Sequence, residues 1–212
     1  SPQIDYGLLN ISLTESLRQR STLRIGRIKN PLGLYNETRD VPFTRPGIFL
    51  PQTIYFDKTR NSLLSTDGAM LSLAWNGRFG GLDLDVGVGR PVIDNNVEWV
   101  LFSNNFPGKL DVDFDSMVGS LAYTSPDGRL RLKASGMSAS YDYNAAGPDD
   151  IPEGNGTVQF GILSAEYTVD RWTLAAEYLR LPLRWENFAD ARPVTGTDGE
   201  DFYLDLLFFH RK

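Results

Sequence analysis

The chain has no cysteine, a single histidine at position 210 and three methionines in 212 residues. Without cysteine there is no disulfide staple, no zinc ribbon and no thiol nucleophile. With one histidine, a Ser-His-Asp hydrolase or a multi-histidine metal centre would have to be built on His210 alone. No Lys/Arg run exceeds a pair, and 21 basic against 27 acidic side chains leave a formal charge of -6. The electrostatic footprint of a nucleic-acid binder is therefore missing. No segment reaches the ~18 consecutive apolar residues of a membrane-spanning helix. That excludes a helical membrane protein but not a β-barrel one, whose alternating strands give only a weak hydropathy signal.

What is present is a folding composition: 41% hydrophobic and 12% aromatic residues, with 20 Gly and 12 Pro. Helical periodicity is almost absent, whereas period-2 alternation recurs in segments of about ten residues, so the chain reads as all-β. Leu82, Leu84, Val86 and Val88 share one face, with Gly81, Asp83, Asp85, Gly87 and Gly89 on the other. Upstream, Ala69, Leu71, Leu73 and Trp75 alternate with Met70, Ser72, Ala74 and Asn76, and Asn76-Gly77 predicts a two-residue hairpin turn between the runs. Hairpins are likewise expected between Met117–Thr124 and Arg129–Tyr141, across Ser125-Pro126-Asp127-Gly128, and between Thr157–Tyr167 and Trp172–Leu181. Further strands at about Ile4–Leu13, Thr22–Ile28 and Phe202–Phe209 bring the expected count to nine.

The connections alternate strictly in length. Those after Leu13, Trp75, Thr124 and Tyr167 are short, whereas Lys29–Thr66, Pro91–Asp115, Asp142–Gly156 and Pro182–Glu200 are long and rich in Pro, Gly, Asn and Asp. In an up-and-down meander, alternate connections lie at the same end. The chain thus has one end of tight turns and one of large loops, the asymmetry of an antiparallel meander transmembrane β-barrel with short periplasmic turns and long outer loops.

Alternation alone leaves open which face points outward. Trp75, Tyr123, Tyr167 and Trp172 all sit where the apolar rows meet the short turns, as an aromatic girdle at a membrane boundary would. The opposite rows carry Arg24, Asp83, Asp85, Arg131, Lys133, Glu166, Glu177 and Asp205. These charges are costly to bury unpaired. A water-filled lumen hydrates them, and so does the solvent around a soluble sandwich or barrel. The competing reading is accordingly a soluble extracellular β-sandwich or barrel that binds a ligand, such as a glycan, through its long loops.

Leu23 to Asp57 reads LRIGRIKNPLGLYNETRDVPFTRPGIFLPQTIYFD. With Gly26, Arg27, Lys29, Pro31, Gly33, Tyr35, Asn36, Arg39, Asp40, Val41, Thr44, Arg45 and Pro46 in place, this segment resembles proteobacterial outer-membrane porin-like proteins of the broad phosphate-selective porin superfamily. The resemblance implies a channel in the bacterial outer membrane, with lipid around it and passive diffusion of small hydrophilic, by inclination anionic, solutes through it. It further implies a barrel of sixteen or more strands; a homo-oligomer such as a trimer is expected with it, and because enzymatic signatures are scarce around the lone His210, no enzymatic activity and no cofactor are expected. Nine strands are too few and odd in number for such a barrel. Phe208 to Lys212 also lack the terminal aromatic of that family, so residues 1–212 are expected to be one β-barrel domain that is a portion of a longer barrel.

The resemblance also implies that the long loop, residues 29–66, folds inward and narrows the pore, with Glu37, Arg39, Asp40 and Arg45 as its constriction residues. Pro42, Pro46 and Pro51 would stiffen it. If the loop forms the narrowest point, Arg39 and Arg45 should set ion preference over the strand carboxylates. The acidic strings Asp111, Asp113, Asp115 and Asp149-Asp150 do not complete a calcium-loop pattern and read as solvated loops, so no metal is expected.

Overall fold

The computed structural model describes residues 6–41, 50, 52, 54–57, 60–93, 108–112, 116–147, 153–186 and 197–201. Its strands are β1 (Gly7–Glu15), β2 (Gln19–Lys29), β3 (Ser65–Gly77), β4 (Gly80–Pro91), β5 (Lys109–Val112), β6 (Ser116–Thr124), β7 (Leu130–Asn144), β8 (Gly154–Val169), β9 (Trp172–Glu186) and β10 (Thr197–Asp201). They form one antiparallel sheet in the order β1-β2-β3-β4-β6-β7-β8-β9-β10, with β5 paired to β7 beside that path. The all-β antiparallel meander is as expected, and it is not closed into a barrel. Among the described residues β1 and β10 are the two edges, and β10 pairs only with β9, so the sheet is open.

Four details of the strands differ from the sequence pattern, the first being β10, which falls at Thr197–Asp201 where the Pro182–Glu200 connection was expected and, with β5, makes ten described strands. The hairpin between β3 and β4 turns at Arg78-Phe79 rather than Asn76-Gly77: Gly77 pairs with Gly80, and Trp75 with Leu82. Gly80 has φ +115, and a Cβ there would meet the backbone oxygen of Thr124 on β6, so the glycine needed for the turn stands after it. The connection after Pro91 contains β5, which pairs with the end of the fifteen-residue β7 that β6 does not reach. Strand β9 continues past Pro182 to Glu186, and its ladder with β8 skips from Gly161↔Arg180 to Val158↔Leu183. Proline is tolerated where the ladder is interrupted. The last strand expected from sequence, Phe202–Phe209, lies outside the described residues, as do Asp205 and His210.

Two more of the four tight turns have local causes. Asp170 adopts φ +52 in the β8–β9 turn, and Gly128 adopts φ +69 in the β6–β7 turn. In the latter, the Ser125 hydroxyl bonds Asp127 and accepts the Leu130 amide at 3.0 Å, closing the corner with its own side chain.

The sheet is curled into a trough. Lys29 at the end of β2 and Glu177 on β9 are six strand spacings apart, roughly 28 Å along a flat sheet. Leu34, five residues beyond Lys29, nevertheless donates its amide to Glu177 at 2.8 Å, and the Glu37 carboxylate lies 4.0 Å from Arg24 and 3.8 Å from Lys133. Part of the bend falls at Gly26, Gly68 and Gly89, which pair in one row across β2, β3 and β4. A Cβ at Gly26 would sit 2.5 Å from the Gly7 carbonyl oxygen, and one at Gly89 would sit 2.4 Å from that of Asp67. Only glycine lets these backbones approach so closely.

Inside the trough lies the connection between β2 and β3, which carries a 3-10 turn at Asn36–Thr38 and the short helix α1 (Arg60–Leu64). The buried apolar cluster is made between this loop and the wall: Leu32, Leu34, Tyr35, Ile54, Tyr55 and Leu63 against Met70, Val118, Met137, Ile162, Ala175 and Leu179.

Candidate pore-lining site

Register assigns each charged side chain to a face. Arg24, Asp83, Asp85, Arg131, Lys133, Glu166 and Glu177 all fall on the inner face, as the alternation predicts. Arg24, Asp83, Asp85, Arg131 and Lys133, with Glu37 from the loop, line an open cavity of about 640 Å³ toward the short-turn end. Glu166 and Glu177 instead lie beneath the loop and hold it.

The hold is specific. Oε1 of Glu177 accepts the Leu34 amide at 2.8 Å, the Ser164 hydroxyl at 2.8 Å and the Tyr55 hydroxyl at 3.0 Å. The Tyr55 oxygen in turn accepts the Tyr35 amide at 3.0 Å, and the Tyr35 hydroxyl donates to Glu166 at 3.0 Å. The Gly33 amide donates to Ser135 Oγ at 2.8 Å. Gly33 has φ +59, and a Cβ there would lie 2.4 Å from the Tyr55 oxygen, so this approach also demands glycine. Burial, then the Glu166 carboxylate, raise the Tyr35 hydroxyl far above its ordinary pKa, and burial followed by Glu177 does the same for Tyr55. Both phenols therefore remain donors across the working pH range. Asn36 Nδ2 donates to the carbonyls of Asn30 and Leu63, tying the two ends of the loop together.

The four expected constriction residues part company. Glu37 faces the cavity between Arg24 and Lys133. Arg39 is buried at 6% exposure, donating to the Tyr55 carbonyl at 3.1 Å and to Asp57 at 2.8 Å. Burial lowers its pKa, with Asp57 opposing the shift. Asp40 accepts from Arg60 at 2.7 Å and from Lys29 at 3.3 Å. Burial acts to raise its pKa, yet these two donors prevail and hold it below the usual carboxylate value. Arg39 and Asp40 thus knit the loop to itself. Arg45 lies outside the described residues, as do Pro42, Pro46 and Pro51.

The outer face is apolar and uncovered. Leu82, Leu84, Val86 and Val88 are 41%, 38%, 47% and 44% exposed, and Leu71, Leu121, Leu132 and Leu163 extend the same surface across neighbouring strands. Trp75, Tyr123, Tyr167 and Trp172 lie on this face at the short-turn end; Trp75 and Tyr123 flank Leu82 in one row, and the Tyr123 hydroxyl donates to the Phe79 carbonyl at 2.9 Å.

Eight residues along each strand from that end, the apolar run stops: at Asp67 from Trp75, at Arg90 from Leu82, at Gln159 from Tyr167 and at Arg180 from Trp172. Two of these limits are ion-paired, Arg27 to Asp67 at 2.7 Å and Arg90 to Asp111 at 3.0 Å. No charged residue faces outward between the limits on these four strands.

Tyr35, Tyr55, Ser135 and Ser164 were not identifiable from sequence as site residues. Gly33 and Tyr35 stood in the sequence only as positions of the loop pattern, with no role assigned to them. Asp113, Asp115 and Asp149-Asp150 lie outside the described residues, and among the described ones no group of three His, Cys, Asp or Glu is placed to hold a metal. Comparison with protein-family models, with curated proteins and with solved structures finds no match.

Proposed function

We propose that this chain forms the wall of a porin-like channel in the bacterial outer membrane, through which small hydrophilic solutes diffuse passively and without chemical conversion. The observation that carries this reading is the banded outer face. Eight residues span about 26 Å along a strand and, at a barrel tilt of ~40°, about 20 Å along the membrane normal. That approaches the ~25 Å apolar band of outer-membrane barrels, with rings at one boundary and paired charges at the other. The polar inner face supports the same reading, since water in a lumen satisfies what a dry core would not. The loop pattern that resembles the phosphate-selective porin superfamily contributes Gly33, Tyr35 and Asn36, the residues that bind the loop to the wall or to itself.

Lipid does not tolerate bare backbone edges, so a closed pore requires partners for β1 and β10, supplied by further strands or by another copy. The test is reconstitution of the full chain. Extraction only with detergent, followed by unit conductance steps in a planar bilayer, is the expected result. A chain that stays monodisperse in water without detergent would reject the channel and favour a soluble ligand-binding β-protein.

A further inference from the structure

The inner face sorts its charges by strand. β2 presents Arg20 and Arg24 to the cavity, β4 presents Asp83 and Asp85, and β7 presents Arg131 and Lys133. The strands between them are uncharged there: β3 contributes Ser72 and Ala74, and β6 contributes Ser120 and Ala122. In one ladder row Arg20 pairs with Ala74, Ala74 with Asp83, Asp83 with Ala122 and Ala122 with Lys133. The signs therefore run as basic, acidic and basic stripes parallel to the strands, each two strand spacings, roughly 10 Å, from the next.

Glu37 from the loop lies 4.0 Å from Arg24 and 3.8 Å from Lys133 and offsets those two charges, and Glu15 on β1 faces the cavity opposite Arg20, so the uncompensated stretch of the stripes is Arg20, Asp83 and Arg131 nearer the tight turns. Arg20, Asp83 and Arg131 make no hydrogen bond or ion pair among the described residues, and Arg20 and Asp83 are exposed to the cavity. Among the described residues the Asp85 carboxylate accepts from the Ser72 and Ser120 hydroxyls, which leave its charge in place. A single ion drawn to one stripe meets its own sign on the next, and a neutral solute gains nothing from either. A solute carrying both signs several ångströms apart satisfies two neighbouring stripes together. Because the stripes follow the strands, it keeps that orientation as it moves along the wall.

Resting on the channel reading above, we infer that the lumen favours zwitterionic solutes, with an ammonium and a carboxylate held apart as in a short peptide, over neutral or singly charged solutes of the same size. The test is swelling of liposomes that carry the full chain, in diglycine and in its uncharged analogue N-acetylglycinamide. Charge-lined clefts raise the local concentration of a complementary solute about tenfold or more. Diglycine is accordingly expected to enter at least about threefold faster. Arg20→Gln with Asp83→Asn should cut that ratio by half or more, and Arg131→Gln, on the third stripe, should lower it independently. All three side chains lack hydrogen-bond and ion-pair partners among the described residues, so these variants are expected to fold. Equal rates in the wild type, or a ratio untouched by the variants, would overturn the inference while leaving a channel. Entry of neither solute above that of protein-free vesicles, with the protein inserted, would remove the channel reading and the inference together.

Discussion

Tyr55→Phe removes one oxygen and leaves the ring, its packing and its neighbours in place, so it isolates the polar anchoring of the loop. That oxygen accepts the Tyr35 amide and donates to Glu177, both at 3.0 Å. Tyr35, Tyr55 and Glu177 are 5%, 2% and 5% exposed, so water does not readily replace the lost partner. An orphaned buried amide costs about 1 to 3 kcal/mol, and a lost hydrogen bond to a charged group about 1.5 to 3. The two are not additive, because Glu177 keeps the Leu34 amide and the Ser164 hydroxyl. We expect the loop to be held less tightly by about 2 to 4 kcal/mol, equivalent to a 30-fold to several-hundred-fold rise in local opening. Amide hydrogen exchange reads this directly: protection of Leu34 and Tyr35 should fall by that factor while the β4 amides keep theirs. Tyr35→Phe, which loses only the bond to the half-exposed Glu166, should have a smaller effect. Unchanged protection at Leu34 and Tyr35 in Tyr55→Phe would refute the anchoring argument, and an equal loss across β4 would show that the loop is no separate unit.

Three further outcomes are expected. Val86→Arg, in the middle of the outward band, should cost ~2 to 4 kcal/mol in equilibrium unfolding from bilayers, and wild-type stability would mean that this row does not face lipid. Gly26→Ala forces a residue with a Cβ to φ +128 and against the Gly7 carbonyl, so β1 should loosen at a cost of about 1 to 3 kcal/mol; a protease-resistant β1 would contradict this. Asp40 has a folded pKa below its ordinary value of 3.8, so its pairing with Lys29 and Arg60 is fully present above that value and is lost as pH falls through the depressed one. Exchange protection near Arg60 should therefore decline in that acid window in the wild type and be flat in Asp40→Asn; identical profiles would remove Asp40 from the account.

That Arg24, Asp83, Asp85, Arg131, Lys133, Glu166 and Glu177 share a face was legible in the sequence because alternation has a period of two and one misplacement would invert the whole strand; Arg20 was not, since the second strand was expected to begin only at Thr22. Trp75, Leu82 and Val86 could be sorted from Ala74, Asp83 and Asp85 without coordinates. Which face points outward was not legible, since the same pattern serves a dry core or a wet lumen. It became visible only when exposure was joined to register. The turn at Arg78-Phe79 was misplaced because Asn-Gly is a strong local signal, whereas the true register is set across strands, where Gly80 lies under Thr124. Strand β5 was missed because four residues hold too little alternation. Arg39 was expected at the constriction from the loop pattern and Glu177 in the lumen from strand alternation, yet Arg39 is held by Tyr55 and Asp57 of its own loop and Glu177 receives Leu34 from 143 residues away.

That separation sets an order of events during assembly. The loop begins directly after β2, but the groups that receive it sit on β7, β8 and β9, at sequence separations of 102 for Gly33 to Ser135, 131 for Tyr35 to Glu166 and 143 for Leu34 to Glu177. Closing such long chain segments carries an entropic cost that nearest-neighbour hairpins avoid, and contacts of this range slow folding. The hairpins can zip one after another while the loop stays undocked, and its seat is complete only once β9 has joined β8. The loop can therefore dock only after most of the wall is in place, which leaves the inside of the trough wide and wettable until then.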